Sequence, residues 1–137
     1  MEDNLSDEFS ELVQGQAELW NLTVGFQKSM SLRCALDLGI PDAINNYGQP
    51  MTLSQIQSAL SLPSAKKPHL HRLLPLLTHI GFLFEQGAGV RTEAIYGLTT
   101  MSLLVLKNGA STMFPLACFN LDFIIVKPSL HLSEWFK

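Results

Sequence analysis

A helical hydrophobic pattern starts almost at the first residue. Leu5, Phe9, Leu12/Val13, Ala17, Trp20 and Val24 recur at helical spacing, and a second stripe of Leu19, Leu22, Phe26 and Met30 lies beside it. The spacing predicts one long helix over Leu5 to Met30. A helix at the edge of a small domain rarely has neighbours on two sides. Either one stripe is exposed or a second subunit covers it.

The stretch from Met30 to Phe84 organises the rest of the chain. A helix from Ser31 to Leu38 is expected to stop at Gly39, with Pro41 in the first turn of a short helix carrying Ala43 and Ile44. Asn45-Asn46-Tyr47-Gly48 reads as its closing turn. Thr52-Leu53-Ser54-Gln55 matches a capping box, so Thr52 starts a helix with Leu53, Ile56, Ala59 and Leu60 on its apolar face. Ser61 to Lys67 is a loop. Pro68 opens the next helix, with Leu70, Leu73/Leu74, Leu77 and Ile80 as the buried stripe and Gly81 as its end. Pro75 removes one bond inside that helix, at about 3 kcal/mol unless the helix kinks, and a kink is expected.

Phe82–Glu85 and Ala94–Leu98 read as the strands of a hairpin whose mobile tip is the Gly87-Ala88-Gly89 region. Three helical patterns running into a hairpin give the order of a winged-helix unit, with the hairpin as the wing. Beyond it, Thr99 is expected to cap a helix with Met101, Leu104 and Val105 inward, ending near Lys107-Asn108-Gly109. Ser111 starts a helix through Phe114, Leu116, Ala117, Phe119 and Leu121, and a last helix begins at Ser129 or Leu130. The fold class is mainly α and winged-helix-like, with an extra amino-terminal helix and a small β-hairpin.

Composition sharpens one point. Only 15% of residues are charged while 47% are hydrophobic, against a typical quarter charged, so much apolar surface needs cover from an oligomer or a further domain. The net charge of -3 argues against a general nucleic-acid binder, which needs a Lys/Arg excess. Cys34 and Cys118 are too few for a disulfide framework and suit a reducing compartment. The acidic amino end lacks the basic start of a signal peptide, and the apolar run from Leu73 to Phe84 falls short of a membrane span. A cytoplasmic protein with no membrane partner is expected.

Candidate chemistry is sparse. No G-x-G-x-x-G, P-loop, zinc spacing or nucleophile elbow occurs. His69 and His71 are two apart on a helix and do not share a face as metal ligands would; His79 suits a helix end; His131 has no Asp or Cys at triad spacing. Lys66, Lys67 and Arg72 stand where a winged-helix regulator places DNA-reading residues, and Arg91 adds charge in the wing, but a solvated helix start explains them without DNA. No catalytic, cofactor-binding or metal-ligating residue is expected here, and no nucleic-acid partner.

An ordered set of motifs then carries a resemblance. It comprises Gln16-Ala17-x-x-Trp20-Asn21, Ser29-Met30-Ser31-Leu32-x-Cys34-Ala35-x-x-Leu38-Gly39-Ile40-Pro41-Asp42, Gly48-x-Pro50-Met51-Thr52-Leu53, Arg72-Leu73-Leu74 with His79-x-Gly81-Phe82, Tyr96-Gly97-Leu98-Thr99, and Leu121-Asp122 through Leu132-Ser133-x-Trp135-Phe136. Together these resemble the amino-terminal dimerisation domain of plant S-adenosylmethionine-dependent O-methyltransferases of the flavonoid, stilbene, simple phenol and benzylisoquinoline alkaloid type. Ser129, where the family usually has Trp, and Pro75, where it usually has a larger residue, depart from the pattern.

The resemblance implies a dimer-arm helix over residues 1–30, a winged-helix dimerisation domain over 31–107, and over 108–137 the start of a helical segment leading to an absent Rossmann-like domain. It implies a homodimer with Leu12, Trp20, Leu22, Phe26 and Met30 at the interface. Trp20 is then offered to the partner's pocket, while Phe119 and Asn120, with Asp122 beside them, line the phenolic-ring side of a substrate pocket. Taken without the resemblance, Trp20 reads as a core or interface aromatic and Phe119 as plain core. S-adenosylmethionine and the phenolic acceptor belong to the full-length family, so this chain, read as a truncated piece, is expected to have no activity alone. The alternatives are a non-catalytic heterodimer partner of full-length enzymes and a winged-helix DNA-binding regulator.

Overall fold

The computed structural model describes residues 2–137 except positions 88 and 91, with no account of the side chains of residues 2 and 3. The expected tip residue Ala88 and the wing charge Arg91 therefore lie outside the described residues. The chain opens on α1 (Glu2–Leu38), a 37-residue helix about 55 Å long at about 1.5 Å per residue. The two helices expected on either side of Met30 are one, since nothing between Met30 and Ser31 breaks the pattern. Gly39 ends it with φ 73°, a left-handed conformation that a side chain would strain.

The chain turns there into α2 (Ile40–Tyr47), with Pro41 in its first turn. Asn45 to Tyr47 are helical rather than the expected turn, and Gly48 at φ 83° does the closing. Met51–Thr52 is a short strand, β1, that the sequence pattern did not announce. Its Thr52 also caps α3 (Leu53–Ala59): Gln55 N–H donates to the Thr52 hydroxyl at 3.2 Å and Thr52 N–H to the Gln55 side chain at 2.8 Å. That is the capping box read from the sequence. The following loop holds a short 3₁₀ turn at Ser64–Lys66.

Helix α4 (Lys67–His79) buries Leu70, Leu74 and Leu77, and Gly81 at φ 79° leads out of it. It continues through Pro75 without a break in the helix. His71 and Pro75 are both exposed, so the bond that Pro75 removes lies on the solvent side of the helix. Strands β2 (Leu83–Gln86) and β3 (Ile95–Leu98) follow, each starting one residue later than expected. The sheet is antiparallel in the order β1-β3-β2, with Leu83 opposite Leu98 and Met51 opposite Tyr96. Beyond β2, Gly89 bridges to Thr92, whose hydroxyl donates to the Gly87 carbonyl at 2.6 Å.

Gly97 in the central strand is explained by the Phe84 ring lying across it: a Cβ there would come within 2.2 Å of that ring. The core is closed by Leu36 and Ile40, Ile44, Ile56, Leu74, Leu77, Phe82 and Leu83, all 3% exposed or less.

The segment after the sheet differs from expectation. Helix α5 is only Thr100–Leu103; Ser102 and Val105 face inward, while Met101 and Leu104 are exposed. Thr99 N–H donates to the Ser102 hydroxyl at 2.8 Å. The Thr99 hydroxyl is shared between the carbonyls of Gly81 and Phe82 at 2.8 and 3.0 Å, tying this turn to the end of α4. Helix α6 (Phe114–Asn120) starts three residues after Ser111, because Pro115 sets the first turn and the Thr112 hydroxyl accepts from Phe114 N–H at 3.1 Å. Short helical turns complete the chain: α7 (Phe123–Val126), a 3₁₀ turn at Lys127–His131, and α8 (Leu132–Trp135). Helical structure thus resumes before Pro128, not after it.

Candidate functional site: an exposed arm and an uncovered apolar end

Helix α1 touches the core only at its last turns, where Ala35 and Leu36 are buried. Every residue from 4 to 23 is exposed. That includes Leu5, Phe9, Leu12, Leu19 and, at 69% and 81%, Trp20 and Leu22. Phe26 and Met30 are exposed as well. From residue 4 to 23, therefore, neither stripe of the arm is covered by the described residues of its own chain. Arm polar contacts are local: the Gln14 side-chain amide donates to Glu18 at 2.8 Å, and the Thr23 hydroxyl to the Trp20 carbonyl at 2.9 Å.

A second apolar surface lies at the other end of the chain. Phe119, Phe123, Ile124, Trp135 and Phe136 are all more than half exposed, and Asn120 is exposed beside them. The plain-core reading of Phe119, and of Trp20, is thereby set aside for this chain. Asp122 has a definite structural role, since it caps α7 with its carboxylate accepting from Ile124 N–H at 2.9 Å. Trp135 and Phe136 meet edge to face at 4.9 Å.

The two surfaces are linked through Arg33. Its guanidinium donates to the Cys118 carbonyl at 3.0 Å, which holds α6 on α1, and pairs with Asp37 at 2.8 Å. The Asp37 hydrogen bond is the main reason the Arg33 pKa is raised. Trp20 sits about 20 Å of helix earlier than Arg33. Within one chain, then, the arm's Trp20 and the α6 residues Phe119 and Asn120 belong to separate regions.

Between the end of α1 and the start of α4 runs a groove of about 360 Å³, lined by Cys34, Leu38, Leu70 and Leu73, with Lys66 and His69 on its flank. Burial, and then the Asp37 carboxylate, push the Cys34 thiol pKa up, so it is a neutral thiol rather than a nucleophile. Sequence reasoning missed this groove because it needs α1 and α4 side by side. It also missed the Phe123–Val126 face, although Asp122 before an apolar run is a helix-start signal.

Among the described residues no three His, Cys, Asp or Glu side chains are placed to share a metal ion. Among the described residues, none of the three short antiparallel strands feeds a glycine-rich loop that opens a helix. No described helix is long and apolar enough to cross a membrane.

Residues 20–108 match the model of the O-methyltransferase dimerisation domain. The chain belongs to that family. Among plant relatives it is 42% identical over 133 residues to Probable O-methyltransferase 3 of Humulus lupulus, covering 93% of this chain and 35% of that protein. It is 41% identical over 129 residues to trans-resveratrol di-O-methyltransferase of Vitis vinifera, with 93% and 36% covered. The chain thus spans about a third of the length of these relatives. The same fold occurs in human N-acetylserotonin methyltransferase, solved with S-adenosylmethionine: TM-score 0.75 at 18% identity, over 88% of this chain and 34% of that one. What was read from the sequence as a mainly helical dimerisation domain of plant O-methyltransferases is what the chain is.

Proposed function

We propose that this dimerisation domain pairs with a second copy and helps wall the acceptor pocket of an enzyme that methylates phenolic hydroxyls of plant secondary metabolites. The supporting observation is the arm: a helix whose residues 4–23 are all exposed while it carries Leu5, Phe9, Leu12, Trp20 and Leu22. So much open apolar surface on one element is a binding surface. Leu12, Trp20, Leu22, Phe26 and Met30 form the homodimer contact, and Trp20 reaches the partner's pocket. Phe119 stacks on the acceptor's ring and Asn120 hydrogen-bonds its hydroxyl or methoxyl. Asp122 beside them caps α7.

Methyl transfer from S-adenosylmethionine, and the base it needs, belong to residues outside this chain. The protein works in the cytoplasm and takes no nucleic-acid partner, in keeping with its charge of -3.

The test is a chimaera in which this chain replaces the matching region of the grapevine resveratrol enzyme. An active dimer whose KM for the phenol rises about tenfold in Trp20→Ala or Phe119→Ala is expected. Unchanged KM in both variants would remove the pocket assignment, and a monomeric chimaera would remove the pairing. The chain alone, given donor and phenol, is expected to turn nothing over.

A further inference from the structure

The two ends of α6 are held differently. At its start, Met113 N–H donates to the Leu104 carbonyl at 2.7 Å, the Lys107 ammonium lies 5.3 Å from the centre of the Phe114 ring, and Phe114 packs on the core. At its end, the last carbonyls of a helix have no intrahelical donor and need one from elsewhere. Leu121 N–H donates to the Ala117 carbonyl and Asp122 N–H to the Phe119 carbonyl, both at 3.1 Å, so neither serves Cys118. The Arg33 guanidinium supplies the missing donor at 3.0 Å, where α6 has no basic residue of its own. Both oxygens of Asp37 accept from Arg33 Nε, at 2.8 and 3.0 Å, which fixes the guanidinium plane with Nη1 toward Cys118. Among the described residues, no other side chain outside α6 hydrogen-bonds its last turn. Phe119 and Asn120 follow Cys118 directly, and both are exposed.

We infer that Arg33 is a positioning residue of the proposed acceptor pocket: by holding the Cys118 carbonyl, it sets where Phe119 and Asn120 present their side chains. It acts through those two residues rather than on the acceptor. Because Arg33 stands on α1, the same bond fixes this wall against the helix that bears the arm. The role rests on the pocket reading above and adds what keeps that wall in place.

Hydrogen exchange of the full chain reads the clamp. Arg33→Met keeps the bulk of the stem and removes every donor. Amide exchange over residues 117–122 is expected to rise at least about fivefold, with α3 and α4 unchanged. Arg33→Lys keeps a charged donor and is expected to restore most of the protection. The chimaera with the grapevine enzyme reads the pocket. There Arg33→Met is expected to raise KM for the phenol about fivefold, with kcat and the KM for S-adenosylmethionine within about twofold. Added to Phe119→Ala/Asn120→Ala, the same change should cost less than about twofold, because it acts through those residues. Unchanged exchange in α6, or an equal rise in α3 and α4, overturns the clamp. Local loosening with an unchanged KM, or an undiminished effect in the triple variant, overturns the positioning role and leaves the pocket standing. An unchanged KM in Phe119→Ala/Asn120→Ala overturns the pocket reading and this role with it.

Discussion

Leu74 and Trp20 sit on helices patterned in the same way, yet Leu74 is fully buried and Trp20 is 69% exposed. The contrast holds for whole regions. From Leu36 to Val105 the apolar stripes of four helices close on one another and on the sheet; from residue 4 to 23 they close on nothing in the chain. Helical periodicity says which residues want cover, but not whose atoms supply it. In the body the cover is intramolecular and shows up as folding stability. In the arm, on the proposed pairing, a second copy supplies it, and it would show up as concentration dependence.

That division can be broken by mutation. The largest effect is expected in the body: Phe82→Ala removes a ring with 0% exposure and should cost about 3–5 kcal/mol in denaturant unfolding. Trp20→Ala should leave the unfolding midpoint of the monomer unchanged but weaken dimerisation by about 2 kcal/mol, read as a roughly thirtyfold rise in dissociation constant. If Trp20→Ala instead destabilises the isolated body, the arm is part of the core and the contrast fails.

Smaller effects sharpen the picture. Thr52→Ala deletes the acceptor of Gln55 N–H and should cost about 1 kcal/mol in thermal or denaturant unfolding, with dimer affinity unmoved. Tyr96 supplies a pH signature confined to the body. Burial, and then the Glu85 and Glu93 carboxylates, raise its pKa above the ordinary 10.0. The folded state therefore holds the phenolic proton more tightly than the unfolded state. The stabilisation is fully present below about pH 10 and is lost as pH rises from there through the raised value. Tyr96→Phe should remove that alkaline slope, measured as unfolding free energy against pH.

Much of the body was legible because its signals are local. The Thr52/Gln55 box, Gly39 and Gly81 as helix ends, and Pro68 at a helix start each depend on a few neighbouring residues, and each took the expected role. The two-residue strand β1 was not legible, because its pairing with Ile95 and Tyr96 is set by a partner more than forty positions away. Met101 and Leu104 were assigned inward on periodicity, but α5 is one turn long and its orientation is fixed by the Thr99 hydroxyl on Gly81 and Phe82. The helix break expected at Met30 failed for a simpler reason: no glycine or proline stands there, and the Ser31 hydroxyl donates back to the Gln27 carbonyl at 2.7 Å instead of capping a new helix. Of the candidate site, the sequence offered Trp20, Phe119 and Asn120 through family resemblance; their exposure, and the groove at Cys34, needed the fold.

The most direct measurement of whether a second copy covers the arm is sedimentation equilibrium of the chain over a wide concentration range. The account predicts a reversible species of twice the 15.2 kDa chain mass, shifted toward the single chain by Trp20→Ala. A single 15.2 kDa species at every concentration, unaltered by that substitution, would contradict it.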